Sequence, residues 1–460
     1  MADDQTAFTA GLAKTEYILT GHPYRTIIRL AWPATASMIA RMILLITDAV
    51  WVGRLGAEPM AALISSIFVI WIAWSLMDVV TSGAVALLAR ALGARDIARA
   101  GYVADHIFRF SVWIGAAIMI IGMFTAHWGL RVMDVAPEVG GIGRDYLRVF
   151  FSAWIVVMFW ELFGALYRAS GDTRTPFLIG VSSVILNVIL DPLFIFGIGP
   201  FPRLGVMGAA LATAMSFGFA VALYFVAFRR RPLPFAFPRH YFARPDWAVI
   251  LRTVRVGLPI SLAGVVFAVV YLFVNRVTAS FGTAAVAALG IGNRIESINY
   301  MVAYGFSMAV ATLVGQNLGA KNPRRAESLV FKTVLVVSLF CGITSILFFV
   351  FALPIARFFT SDPAVWPLTV TYLQILALSQ IHMAWEIVFE GAFTGAGDTV
   401  PPMIVSIVGA VVRVPLAYAL AVWWGVGIAG IWWTMTLTTL AKGTVMLFWF
   451  RLGRWKKKEV

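Results

Sequence analysis

The run Arg229-Arg230-Arg231-Pro232-Leu233-Pro234-Phe235-Ala236-Phe237-Pro238-Arg239-His240 opens the only long polar interruption of the chain, roughly 229–254. Clustered Pro and Arg between apolar stretches read as a linker, and this one falls at the midpoint of 460 residues. On either side lie apolar runs near the about 20 residues that a helix needs to cross a bilayer. The chain is 61% hydrophobic and 13% charged, against about 45–50% and about 25% in soluble domains. So little charge cannot cover the surface of a soluble enzyme. Cys341 is the only cysteine, which excludes a disulfide scaffold. An outer-membrane barrel would show strictly alternating segments of about 10 residues. The class is all-α, integral to the membrane and polytopic.

A net charge of +14 could suggest nucleic acid, but its distribution assigns it elsewhere. Lys and Arg concentrate in alternate loops: around Arg90, Arg95 and Arg99; Arg168 and Arg174; Arg229 to Arg255; Lys321, Arg324 and Arg325; and the tail from Arg451 to Lys458. Such an excess marks the cytoplasmic side. Both termini are therefore expected in the cytoplasm of a multi-pass cell (inner) membrane protein, with an even number of spans. The opening Met1-Ala2-Asp3-Asp4 is no basic n-region, so no cleaved signal peptide is expected. With these loops as punctuation, hydropathy predicts twelve helices, near 28–52, 60–88, 105–128, 145–168, 176–199, 205–228, 256–279, 285–314, 329–353, 367–392, 400–422 and 426–450. The expected organisation is a cytoplasmic segment 1–27, a first six-helix lobe 28–228, the linker 229–254, a second lobe 255–450 and a basic tail 451–460.

A shift of 226 residues lays the second half over the first without a gap. Pro33 falls on Pro259, Gly56 on Gly282, Leu92-Gly93-Ala94 on Leu318-Gly319-Ala320, Gly171-Asp172-Thr173 on Gly397-Asp398-Thr399, and Pro176 on Pro402. Six spans per unit make both halves enter the membrane in the same sense. That predicts two lobes about a pseudo-two-fold axis along the membrane normal, with a cavity between them, which is transporter architecture.

Leu30-Ala31-Trp32-Pro33 with Thr47-Asp48-Ala49-Val50-Trp51-Val52-Gly53-Arg54-Leu55-Gly56 resembles the first helix of MATE (multidrug and toxic compound extrusion) transporters. Ala169-Ser170-Gly171-Asp172-Thr173 and its copy Gly395-Ala396-Gly397-Asp398-Thr399, Leu186-Asn187-Val188-Ile189-Leu190-Asp191-Pro192, and Val314-Gly315-Gln316-Asn317-Leu318-Gly319-Ala320 are similar too. The resemblance spans nearly the whole chain and implies a twelve-helix drug/cation antiporter.

Charged groups at bilayer depth are costly unless paired or solvated, and each is a functional candidate. They are Arg41, Asp48, Asp78, Glu161, Asp191, Arg276, Arg294, Glu296, Glu386, Glu390, Arg413 and Lys442. Lys442 and Arg294 are expected to snorkel to an interface. Asn187 and Asp191, four apart, share a helical face. Pro192 cannot donate a hydrogen bond to the Val188 carbonyl, so a hard-oxygen set suited to Na⁺, or a proton-carrying carboxylate, is concentrated there. A buried pair that merely locks helix packing is the alternative. Asp48 reads either as part of such a site or as an interfacial residue. The resemblance implies that Asp48 joins Asn187 and Asp191 in a first-lobe cation site, with Thr213 of the sixth helix as a further contributor. A lone Thr in a small-residue helix also serves as packing glue. Under the repeat, Asn187 maps to Arg413, Asp191 to Ala417 and Asp48 to Val274, so a cation site belongs in the first lobe.

A rival polar site in the second lobe comprises Glu386 and Glu390, again four apart, with Arg413 or Arg276 as partner. Another branch of the resembling family uses a glutamate in the seventh helix; here Pro259 to Gly282 holds Arg276 and no acid. The histidines show no metal-ligand spacing and no phosphate-binding Gly loop is present, so no cofactor is expected beyond H⁺ or Na⁺ as coupling ion. The predicted function is secondary-active multidrug efflux by a monomer, exchanging H⁺ or Na⁺ for amphipathic, cationic organic molecules, without nucleic acid as partner. A flippase or exporter of lipid-linked or anionic substrates is the alternative, for which Arg41, Arg276 and Arg413 speak. A major-facilitator protein would carry an acidic–Arg–Gly–Arg-Arg signature where Ala91-Leu92-Gly93-Ala94-Arg95 stands, and a membrane enzyme would need a catalytic cluster that the short loops do not offer.

Overall fold

In the computed structural model, residues 13–132, 136–235, 244 and 246–459 are described. Residues 1–12, Arg239 and His240 of the linker, and Val460 lie outside them. After a short helix over 13–20, the chain forms α1 (Pro23–Gly53), α2 (Ala57–Gly93), α3 (Ile97–Val132), α4 (Pro137–Ser152), α5 (Trp154–Ala169), α6 (Arg174–Phe196) and α7 (Val206–Arg230). Beyond the linker come α8 (Trp247–Ala279), α9 (Thr283–Gly319), α10 (Pro323–Val350), α11 (Ala352–Phe359), α12 (Trp366–Ala377), α13 (Gln380–Ala396), α14 (Val400–Tyr418) and α15 (Ile428–Arg451).

Among the described residues nine helices are long and apolar enough to cross a bilayer, and α4 with α5, bent by 53° at their junction, form a tenth span. The other two expected spans fall to α12 with α13 and to α15. The first is broken around Leu378 and Ser379, and α15 turns Thr434, Thr436, Thr438 and Lys442 inward. Twelve traverses result. The short helix α11, which the sequence leaves as loop, buries Ala352 and Ala356 and exposes Phe358.

The duplication is written in the backbone. Left-handed conformations recur 226 positions apart: Arg95 (φ 59) and Lys321 (φ 56), Gly171 (φ 78) and Gly397 (φ 73), Gly199 and Gly425 (both φ 70). The same offset relates Asp96, which accepts from Arg99 N at 2.9 Å, to Asn322, which accepts from Arg325 N at 3.1 Å. Both cap a helix start.

The lobes meet along α1 against α9 and α2 against α8, pairs that the repeat interchanges. A Cβ on Gly93 would strike the Gln316 backbone, and one on Gly319 the Arg90 backbone. Under the shift these two contacts are one and the same. The seam is closed at the end that carries the linker and both terminal segments. There Thr312 donates to Arg168 O (3.0 Å), Gln316 Nε2 to Ala169 O (2.8 Å) and Arg90 to Ala396 O (2.8 Å).

The terminal segments bind the two copies of one aspartate: Lys14 lies 2.7 Å from Asp172, and Lys458 lies 3.3 Å from Asp398. The 13–20 helix also spans the seam. Glu16 pairs with Arg95 of the first lobe, and Arg325 of the second donates to the carbonyls of Ile18 and Gly21. The linker exit is held by the first lobe as well. Arg109 donates to Arg244 O (3.2 Å), Tyr102 to Asp246 (2.9 Å), and Asp246 N to His106 Nδ1 (2.8 Å).

Candidate functional site

The first-lobe candidates converge. α6 places Asn187 and Asp191 one turn apart, α1 supplies Asp48 and α7 supplies Thr213. All four are buried, Asn187 and Asp191 completely. Asn187 Nδ2 donates to Asp191 Oδ1 at 3.2 Å and to Thr213 Oγ1 at 3.3 Å. Asp48 of α1 and Asp191 of α6 are neighbours in this chamber. Asp48 Oδ1, Asn187 Oδ1 and Asp191 Oδ2 are left without a donor among the described residues.

Buried acceptors normally find partners, and two carboxylates in one chamber repel each other strongly. Three orphaned oxygens with a threonine hydroxyl beside them offer ligands of the kind a hard monovalent cation takes, or acceptors for a proton. Tyr146 on α4 is also buried, in the neighbourhood of both carboxylates. The sequence reading missed it, although it sits at the head of an aromatic stripe with Phe150 and Trp154. Its signal was the repeat, which maps it onto another tyrosine, Tyr372.

Deeper toward the seam, Arg41 pairs with Glu161, and Arg168 lies 3.8 Å from the same carboxylate. The Arg41 guanidinium also sits over the rings of Trp74 (4.3 Å) and Trp160 (4.9 Å). Asp78 accepts from Thr81 at 3.2 Å.

The second-lobe candidates are arranged differently from expectation. Lys442 does not snorkel; it is 8% exposed and lies 2.7 Å from Glu386. Gly409 makes this possible, since its missing side chain leaves room for the Lys442 stem. Arg276 is exposed and joins neither glutamate. Arg413 is buried but donates to Thr438 Oγ1 (3.1 Å) and Thr439 Oγ1 (3.5 Å), not to Glu386 or Glu390. Glu390 stays close to Glu386 and Lys442 and faces Asp78 across the seam. Arg294 is exposed, as expected.

The MatE family model matches residues 33–193 and again 259–419, the second match beginning and ending 226 residues after the first. A probable multidrug resistance protein NorM of Thermotoga maritima is 28% identical over 438 residues, 95% of this chain and 94% of that one. A FAD transporter of Shewanella oneidensis is 25% identical over 385 residues, 83% of this chain and 84% of its own. A solved structure of a multidrug resistance MATE family transporter in an outward-facing conformation superposes with a TM-score of 0.88 at 25% identity, over 96% of this chain and 98% of that one. With the family model covering most of both lobes, the chain belongs to the MatE family of membrane transporters.

Proposed function

We propose that the protein is a secondary-active exporter that exchanges H⁺ or Na⁺ for amphipathic, cationic organic molecules across the inner membrane, with both termini in the cytoplasm. The observation that carries this reading is the convergence of Asp48 Oδ1, Asn187 Oδ1 and Asp191 Oδ2, buried and without donors, in the first lobe. A cation entering this chamber relieves the repulsion between the two carboxylates and completes their coordination. It therefore stabilises whichever lobe arrangement holds the chamber closed, and its release frees the other. Coupling needs only this difference in affinity between two states. One chain supplies both lobes and the chamber, so a monomer suffices. The names of the multidrug resistance relatives support the substrate class.

The test is efflux of a fluorescent organic cation from proteoliposomes under an imposed proton gradient and, separately, an imposed Na⁺ gradient. Asp191→Asn and Asp48→Asn should insert and bind substrate but lose gradient-driven efflux. Wild-type efflux in Asp191→Asn at equal protein content would refute the coupling role.

The FAD transporter among the relatives favours a second reading, export of anionic molecules. Against it stands Arg41, whose charge is taken up by Glu161. Flavin loaded into the same vesicles decides between the two.

A further inference from the structure

The second lobe has kept the walls of the first-lobe chamber while losing its acids. Tyr146 maps by the 226-residue shift to Tyr372, and Thr213 to Thr439. In the first lobe Asn187 donates to Thr213; in the second its counterpart Arg413 donates to Thr439. Asp48 and Asp191 are replaced by Val274 and Ala417, 1% and 0% exposed. The oxygen cage is thus gone, yet a positive charge still reaches the retained threonine. A carboxylate lies near it on another helix. Glu296 of α9 is close to Arg413, although among the described residues no ion pair joins them, and Tyr372 donates to Glu296 (3.5 Å) and Asn293 (3.1 Å). The other charged or titratable groups around Glu296 are Tyr271 and Lys442, and Lys442 is already paired with Glu386.

We infer that Arg413 is a tethered cation: it fills permanently, in the second lobe, the site that in the first lobe takes an exchangeable one. This rests on the first-lobe reading above. A guanidinium keeps its charge at any physiological pH and presents several donors in a fixed fork, so the second lobe stays in the equivalent of the loaded state. Only the first lobe then alternates between loaded and empty. The two lobes, alike in scaffold, divide the labour into a switching half and a fixed half, and a transport cycle exchanges the coupling ion at one chamber only.

The test transplants the first-lobe acid and amide into the second lobe of the full-length protein. Binding of radiolabelled Na⁺, and proton release read with a pH indicator, are measured on wild type and on Asp191→Asn. They are then measured on Asp191→Asn carrying Arg413→Asn, Ala417→Asp and Val274→Asp as well, with Thr439 and Tyr372 untouched. Cation binding should be present in wild type, absent in Asp191→Asn and regained in the rebuilt variant. A rebuilt variant that keeps the wild-type melting temperature but regains nothing overturns the inference while leaving the first-lobe reading intact. Absence of Asp191-dependent binding in wild type defeats both.

Should the rebuilt variant not fold, Arg413→Lys and Arg413→Met decide. The lysine keeps a tethered charge and should preserve the wild-type dependence of efflux on the coupling cation. The methionine leaves Glu296 without its fixed countercharge, and efflux should gain a second, steeper cation dependence that Glu296→Gln removes. Identical cation dependence in the Lys and Met variants would overturn the inference, because a purely structural arginine would alter stability without altering that dependence.

Discussion

Arg90 and Gln316 are the same residue position in the two halves of the chain, and each reaches across the seam to a backbone carbonyl at the end of a helix in the opposite lobe. Arg90 donates to Ala396 O at 2.8 Å and Gln316 to Ala169 O at 2.8 Å. The interface is near-isologous within a single chain: equivalent side chains reach carbonyls one register position apart at equivalent helix ends, about the pseudo-two-fold axis. Beside each stands a glycine, Gly93 or Gly319, with no room for a side chain.

Gly93→Val and Gly319→Val should therefore have one phenotype. Each drives a branched side chain into the opposing backbone, in a seam with no flexible neighbour to yield. Both should hold the lobes apart at the linker end and abolish efflux without unfolding either lobe. Double electron–electron resonance between spin labels on Arg99 and Arg325 should read a longer distance in both variants; an unchanged distance would show that the seam tolerates the extra carbons.

The Lys442–Glu386 pair is buried in the second lobe. Removing one partner leaves an uncompensated charge, while replacing both with apolar residues does not. Lys442→Met should destabilise by about 3–5 kcal/mol, and Lys442→Met with Glu386→Leu should recover most of it. Thermal unfolding in detergent gives the comparison, and equal melting temperatures for the single and double variants would contradict it.

Tyr146→Phe removes one hydroxyl from the first-lobe chamber and leaves its ring in place. The expected result is normal expression and substrate binding with weakened cation affinity. Na⁺ or proton titration of efflux in proteoliposomes measures it.

The contact between the 13–20 helix and Asp172 should be indifferent to pH in the physiological range. Burial pushes the Asp172 carboxyl up, but Lys14 beside it and hydrogen bonds from Thr175 outweigh this and hold it below the usual carboxylate range. Tyr167, which also faces it, donates to Arg231 O. With the folded value depressed, the contact contributes fully above the unfolded carboxylate value of about 3.9 and is lost as pH falls through the folded one. The amide protection factors over residues 15–20, corrected for the intrinsic pH dependence of exchange, should thus stay constant from about pH 5 to 8 and fall only in stronger acid. Protection that changes near neutrality would place a titrating group at this strap.

Much of this architecture is legible in the sequence because it rests on two strong signals, apolar length and the 226-residue repeat. The spans and the symmetry follow from them; Asn187 and Asp191 stand out by their one-turn spacing before Pro192, and only the resemblance to MATE transporters adds Asp48 and Thr213. What stayed hidden depends on packing between elements distant in the chain. The depth of Lys442 is set by the absence of a side chain on Gly409, which hydropathy does not register. The bend at Ala153 lies between Phe151 and Trp154 in a largely apolar stretch broken only by Ser152, where no proline announces it. The 13–20 helix is too short for its periodicity to stand out, although Thr15 and Ile18 are buried. Tyr146 was one aromatic among many until its neighbours were in view.

The clasp of Tyr102, His106 and Arg109 on the linker exit changes how the moving parts should be divided. Sequence assigns α8 to the second lobe, but its foot at Asp246 is fastened to α3 of the first. A rocking lobe cannot use the linker as a slack tether if its last residues are moored this way. The fulcrum then lies inside α8 itself, between its moored foot and Pro259, which sits within the helix and removes one of its backbone hydrogen bonds. Mechanically the first turns of α8 travel with the half of the molecule they do not belong to by descent, and the boundary between rigid bodies runs through a helix rather than through a loop.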